Sequence, residues 1–413
     1  MSVPSYPVFL DLAGRRALVV GGGPVAARRA AGLLDVSAVV EVVAPWLCED
    51  LAQLVADRRV VWHAREYSSA DVDGAWFVHT ATGDALVDSL VAADASATLV
   101  WCVRADDASR SAAWTPAVAR GADGVVLAVS GGGDPGRARA LRDAVAAALD
   151  SGTLPVRRTR AVAAPALGVV HLVGGGPGDE DLLTVRGRRL LAQADVVVVD
   201  RLAPRSVLSQ LSADVEVIDC GKTPGHHQLT QDQINEVLVD RARQGLTVVR
   251  LKGGDPFVLG RGGEEALYCH AAGVPVTVVP GVTSVVSVPA AAGIPVTHRG
   301  VTTSFALVSA HDGIDPVVAA ARSHSVSTTL VLLMGVRLLR SSCAALVAAG
   351  RAASTPVAIV ERGWMPTQRT TVGTLADIAD RAEARGVESP AVVVVGDVVS
   401  LRGQLGPFSA EID

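Results

Sequence analysis

The sequence predicts an α/β protein: an N-terminal Rossmann-like domain followed by a C-terminal two-lobed α/β domain. Short valine-rich runs alternate with Ala/Leu stretches of helical character along the whole chain. Hydrophobic residues make up 49% of the chain and aromatic ones only 3%, so the cores must be Ala, Val and Leu, which suits parallel sheets covered on both faces. The pattern of strand, glycine loop and helix also starts twice, at Arg16 and at Gly168. A length of 413 residues holds two or three domains with cores of their own.

The charge balance excludes some functions. Thirty-seven basic against 42 acidic residues give a formal net charge of −5, which argues against nucleic acid or an anionic membrane held by bulk charge. No apolar run approaches the ~18 residues of a membrane span, and no basic-then-apolar leader opens the chain. The five cysteines are scattered and odd in number, without C-x-x-C, so reduced thiols in a cytoplasmic protein are expected.

In the first unit a strand at Ala17–Val20 runs into Gly21-x-Gly23-x-x-Ala26 and a helix to about Leu34, with a second strand at Val39–Val43. This turn places a pyrophosphate at a helix N-terminus. The acidic residue expected at the end of the second strand is missing: Glu41 lies inside it and Ala44-Pro45 occupy its end, which leaves NAD and NADP both open. Further strands are expected at Val60–His63, Ala75–Thr80, Ala97–Val103 and Val125–Val129, and helices at Asp84–Ala95 and Arg137–Leu149. Asp106 sits in the turn after a strand, where α/β sheets place their chemistry. Residues 151–167 lack periodicity, carry two prolines and read as a linker. The expected domains are 1–113, a short helical or dimerisation segment with linker at 114–167, and 168–413 with lobes at about 168–299 and 300–413.

In the second unit a strand meets Gly174-Gly-Gly-Pro177-Gly-Asp179, and a buried strand from Ala194 delivers Asp200 at its end. A strand at Val215–Ile218 leads to Cys220-Gly-Lys222, and a helix at Gln231–Gln244 leads to a strand at Thr247–Leu251. There the densest motif begins, Val249-Arg-Leu-Lys-Gly-Gly-Asp-Pro-Phe-Val-Leu-Gly-Arg-Gly-Gly-Glu-Glu265, with five glycines in the eleven residues from Gly253. Bare backbone lets a ligand approach, and Asp255 is placed to accept a hydrogen bond from it. A helix at Glu264–Ala272 and a strand at Pro275–Val279 reach Pro280-Gly-Val-Thr283-Ser284. In the last lobe strands are expected at Ser304–Ser309, Thr329–Met334, Thr355–Glu361 and Ala391–Gly396, with helices near Asp315–Arg322, Leu338–Ala349 and Thr374–Arg385. Loops at Gly174–Asp179, Asp200, Lys222 and Gly253–Asp255 should converge on one rim. The chain has only two lysines, Lys222 and Lys252, against 35 arginines, and both stand in these motifs. A compact, titratable ammonium is not replaceable by guanidinium.

These motifs, with Gly293-Ile-Pro-Val-Thr-His-Arg299, resemble the uroporphyrinogen-III C-methyltransferases of the tetrapyrrole methylase class from about Gly168 to Gly396. The first half resembles the precorrin-2 dehydrogenase/ferrochelatase module, and the order of the two is that of the fused siroheme synthases. The resemblance implies S-adenosylmethionine-dependent methylation of uroporphyrinogen III to precorrin-2, NAD-dependent oxidation to sirohydrochlorin and insertion of Fe(II). It implies that Pro177, Gly253, Gly254, Asp255, Val258, Thr283, Ser284, Met334 and Gly363 line the S-adenosylmethionine site. Asp200 would be proton acceptor and Lys222 proton donor. In the first half Gly21, Gly23, Pro24, Val25, Pro45 and Trp46 match NAD-contacting positions and Asp106 the catalytic aspartate. Arg201, Arg261, His298 and Arg299 could anchor the substrate carboxylates. A homodimer is implied.

Two departures from the family pattern stand out: Ser130-Gly131 replaces Ser followed by Ser or Thr, and only roughly 30 residues separate Pro135 from Gly168, where the family's dimerisation segment is far longer. Alternative readings are a methyltransferase with a non-catalytic Rossmann module, or a methylase of another corrinoid intermediate.

Overall fold

The computed structural model describes residues 6–121, 124–154, 167–221, 229–311 and 313–412. They fall into two compact units, 1–144 and 145–413, and the division lies within a helix.

The first unit runs β1 (Arg16–Val20), α1 (Pro24–Leu34), β2 (Val39–Val43), α2 (Glu49–Ala56), β3 (Val60–His63), β4 (Phe77–Thr80), α3 (Ala85–Ala97), β5 (Trp101–Arg104), β6 (Ala117–Arg120), β7 (Val126–Val129) and α4 (Pro135–Ser151). Five strands form a parallel sheet in the order β3-β2-β1-β4-β5, and β6 and β7 form a separate antiparallel pair. Strand order reverses between β1 and β4, so the crevice for a ligand opens outside their C-terminal ends. The sheet buries both faces: Val19, Val40 and Val42 pack with Ala26, Ala30 and Leu51, while Leu18, Val20 and Val78 pack with Val91 and Ala95.

The second unit opens with β8 (Val169–Gly174), α5 (Val185–Gln193), β9 (Val196–Val199), β10 (Glu216–Asp219), α6 (Gln231–Arg243), β11 (Thr247–Lys252), α7 (Gly262–Ala271), β12 (Val276–Val279) and α8 (Ser284–Ala291). Its parallel sheet has the order β10-β9-β11-β8-β12, which brings the C-terminal ends of β8, β9 and β11 side by side. The four valines of β9 are all buried, as a strand covered on both faces requires. Thr184 and Thr230 cap α5 and α6 through their hydroxyls, the latter in a capping box with Gln233.

The remaining lobe contains β13 (Phe305–Ser309), α9 (Asp315–Ser323), β14 (Thr329–Leu333), α10 (Leu339–Ala348), β15 (Pro356–Glu361), β16 (Arg369–Thr374), α11 (Ile378–Ala384), β17 (Ala391–Val395) and α12 (Arg402–Leu405). The sheet order is β13-β14-β17-β15-β16, and only β13 and β14 run parallel. One core joins the lobes: Val285 and Val288 of α8 pack with Val331, Ala358, Val360, Val392 and Val394.

Five elements are additional to the sequence reading: α2, α8, α12, β6 and β16. Helix α8 contains Pro289, which reads as a breaker in sequence but lies in the last turn. The stretch expected as one helix near Thr374–Arg385 is strand β16 up to Thr374 and helix α11 only from Ile378. Helix α3 runs to Ala97, so β5 begins at Trp101 instead of Ala97.

Candidate active site

Backbone packs directly on backbone at the C-terminal rim of the β8–β12 sheet. Gly176 and Gly254 exchange two hydrogen bonds, at 3.2 and 2.7 Å, and the Gly175 N–H donates to the Lys252 carbonyl at 2.7 Å. A β-carbon on Gly174 would stand 2.5 Å from Gly281, and one on Gly281 would run into the Gly254 carbonyl. Glycine is therefore required where these three loops meet. Gly254 faces Ser284 across 3.7 Å, measured from where its β-carbon would be. Thr283 is the N-cap of α8, its hydroxyl accepting from the Val285 N–H. Asp255 ties the loops together: Oδ1 accepts from the Phe257 N–H at 2.8 Å and Oδ2 from the Gly281 N–H at 3.0 Å. Its carboxylate thus serves the rim's own backbone, with acceptor capacity left over.

The other lobe brings Gly363 to this rim. A side chain there would strike Val288 at 2.7 Å, while Met365 packs against Gly178. Val258 packs into the core formed by Val285 and Val288. Contacts thus link Gly254, Asp255, Val258, Thr283, Ser284 and Gly363, with Gly253 and Pro177 on the same loops. Met334 stands just past β14 with φ 58° and an exposed side chain, and none of these contacts reaches it.

Asp200 follows β9, its N–H donating to the Leu251 carbonyl at 2.9 Å, and its side chain is 40% exposed. The Asp200 loop packs onto the glycines: Leu202 lies against Gly253 and Pro204 against Gly175. Behind it lies a buried ionic cluster. Arg250 reaches Asp200 at 3.7 Å and Glu265 at 3.0 Å, and Lys252 holds Glu265 at 2.9 Å. Burial lowers the Lys252 pKa, with the Arg250 charge second, against the attraction of Glu265. Lys222 lies outside the described residues; Gly221, just before it, packs beside Arg201. Of the suggested anchors, Arg261 is paired with Glu264 at 2.6 Å, and His298 Nδ1 lies 2.9 Å from the Arg299 carbonyl oxygen.

In the first unit Gly21 (φ 130°) leaves no room for a side chain against the Ala81 carbonyl, nor Gly22 against that of Trp46. Gly23, by contrast, faces open space apart from the Trp46 ring at 3.9 Å. Gly23 caps α1 without a side chain and Pro24 opens it, so the first-turn N–H groups are left for an anion. Val25, Pro45 and Trp46 border this space on α1 and the loop after β2, with Val25 and Trp46 exposed. Glu41 points elsewhere, paired with Arg16 at 2.9 Å and His63 at 3.0 Å. Asp106 is held by both oxygens: Arg104, itself buried, donates through Nε at 3.0 Å and Nη2 at 2.6 Å. These hydrogen bonds and the guanidinium charge keep the Asp106 carboxyl below the usual range. Arg104 escaped the sequence reading, although its place two residues before Asp106 at a strand end was a usable signal.

Together the two rims define a class: a dinucleotide-binding unit followed by a tetrapyrrole methylase unit. Residues 8–117 match the family described as putative NAD(P)-binding, and residues 169–379 match the tetrapyrrole (corrin/porphyrin) methylases. The chain is 39% identical to the siroheme synthase of Chromobacterium violaceum over 97% of its own length and 96% of the relative's. It is 38% identical to that of Azotobacter vinelandii, over 97% and 98% of the two chains. An S-adenosyl-L-methionine-dependent uroporphyrinogen III methyltransferase from Methanosarcina barkeri is 48% identical over 60% of this chain and 98% of its own. The chain belongs to the siroheme synthase family.

Among the described residues no helix is long and apolar enough to cross a membrane, and no three His, Cys, Asp or Glu side chains are grouped to hold a metal ion.

Proposed function

We propose that this chain methylates uroporphyrinogen III with S-adenosylmethionine to give precorrin-2, and that its first unit oxidises precorrin-2 to sirohydrochlorin with NAD. The observation that carries the reading is the glycine-only rim with Asp200 at its edge. S-adenosylmethionine supplies an electrophilic methyl group. By their motifs, Pro177, Gly253, Gly254, Asp255, Val258, Thr283, Ser284, Met334 and Gly363 would line its site. Methylation of an electron-rich pyrrole carbon leaves a cation that must lose a proton, and Asp200, at a strand end and partly open to solvent, stabilises that charge and accepts the proton. Lys222 is assigned the complementary donor role from its motif. Arg250 holds Asp200 from behind.

In the first unit NAD supplies the hydride acceptor. Gly21, Gly23, Pro24, Val25, Pro45 and Trp46 frame its site, and Asp106 lies at the strand end where the substrate would meet it. The relatives' name extends the series to siroheme, with Fe(II) entering as a substrate metal. The domain reading 1–113, 114–167 and 168–413, and assembly as a homodimer, belong to this proposal.

A second reading confines catalysis to the methylase unit. It is favoured by the Arg104–Asp106 pair and by Gly131, where a β-carbon would run into the Asp134 carbonyl and lie 2.7 Å from the Ala138 nitrogen. Anaerobic incubation with uroporphyrinogen III and S-adenosylmethionine, with and without NAD, separates the two by absorbance and mass. Sirohydrochlorin formed only with NAD supports both activities; precorrin-2 accumulating regardless of NAD leaves the methylase alone. No methylated product overturns the proposal.

A further inference from the structure

The C-terminal segment crosses α8 and the start of β16. The Phe408 and Ser409 N–H groups donate to the Ala291 carbonyl at 2.9 and 3.2 Å, and the Ile412 N–H donates to the Gln368 carbonyl at 2.9 Å. Glu411 accepts from three side chains: Arg402 at 2.5 Å, the Thr370 hydroxyl at 2.6 Å and the Gln368 amide at 3.0 Å. Burial would raise its pKa, but these hydrogen bonds outweigh burial and keep the carboxyl below its usual range.

Gln368, fully buried, passes the connection onward: its Oε1 accepts from the Trp364 N–H at 2.9 Å. The loop it grips is strained. Arg362 and Trp364 have φ of 49° and 64°, left-handed values that side-chain-bearing residues keep only where their surroundings impose them. The Trp364 indole donates to the Ser287 carbonyl of α8 at 2.7 Å, Gly363 is pressed on Val288, and Met365 on Gly178. A continuous path therefore runs from Glu411 to α8 and to the Gly178 loop of the methylase rim.

We propose that Gln368 and Glu411 are positioning residues for the methyl-donor site, and that segment 406–412 is a strap holding the 362–368 loop in its binding shape. The inference rests on the S-adenosylmethionine reading of the rim. It predicts that cutting the strap loosens the cofactor site and leaves the tetrapyrrole site alone.

The test titrates the full chain with S-adenosylhomocysteine and measures steady-state methylation. Glu411→Ala should weaken S-adenosylhomocysteine binding and raise the S-adenosylmethionine KM about tenfold, with kcat and the tetrapyrrole KM changing by less than about twofold. Glu411→Gln keeps an acceptor for Gln368 and Thr370 and should recover most of the affinity. Thr370→Val removes a single donor and should give about a threefold loss, so the inference stays testable if Glu411→Ala does not fold. A lower melting temperature with unchanged S-adenosylhomocysteine affinity would overturn it. A wild-type chain that does not bind S-adenosylhomocysteine would instead refute the cofactor reading.

Discussion

Lys252 Nζ lies 2.9 and 3.0 Å from the two oxygens of Glu265, a fully buried carboxylate that Arg250 also approaches at 3.0 Å. One carboxylate thus faces two buried cations, with the partly exposed Asp200 at the cluster's edge. Glu265→Gln would strand both cations in a low-dielectric interior. The expected loss is about 3–5 kcal/mol, read from urea unfolding. Lys252→Arg should also destabilise, because the bulkier guanidinium must be packed into a site where Lys252 and Glu265 are both buried.

Asp106 owes its low pKa first to the hydrogen bonds from Arg104, so it is a weak base in its resting geometry. If the carboxylate takes part in NAD-dependent oxidation, it must first leave Arg104. Arg104→Gln should then raise the pKa of Asp106 toward the ordinary value and shift the acid limb of the oxidation rate upward in pH, while Asp106→Asn abolishes that limb. An acid limb unmoved by either variant assigns Asp106 a purely structural role.

At Gly131 the turn into α4 closes so tightly that a side chain cannot be added without moving the Asp134 carbonyl or the first turn of the helix. Asp134 caps that helix by accepting from the Gly136 and Arg137 N–H groups at 2.8 and 3.1 Å. Gly131→Ser, which restores a hydroxyl, should therefore lower stability by about 1–3 kcal/mol, seen in thermal melts of the full chain.

Burial, with the Arg29 charge second, pushes His79 down to about 3. Its folded pKa lies below the unfolded value near 6.5, so the unfolded chain takes up the proton first. The stability of the neutral ring is complete above that value and is lost as pH falls toward 3, at about 1.4 kcal/mol per pH unit. His79→Leu should flatten this slope. An imidazole that titrates near 6.5 by NMR in the folded chain would refute the prediction.

Much of this was legible in sequence because it depends on period and punctuation. The valine runs gave the central strands, and the glycine-dense stretch after Leu251 marked the rim that the structure builds from Gly176, Gly254 and Gly281. What escaped depends on contacts between distant segments. Pro289 hid α8, because a proline inside a helical run reads as a breaker. Gly373 and the turn to Asp377 hid the edge strand β16. The bond of Asp255 to the Gly281 N–H joins loops brought together only by folding, whereas its bond to Phe257, two residues on, is local. Gln368 and Glu411 carry no motif; their pairing spans 43 residues.

We propose that Asp200 acts in the chemistry of a methyl transfer at this rim. The most direct test compares Asp200→Asn with the wild-type chain, measuring kcat for uroporphyrinogen III methylation and S-adenosylhomocysteine affinity on the same samples. The expected kcat is lower by about 10²–10⁴-fold with cofactor affinity retained. Turnover near the wild-type rate, or a loss confined to cofactor binding, would contradict it.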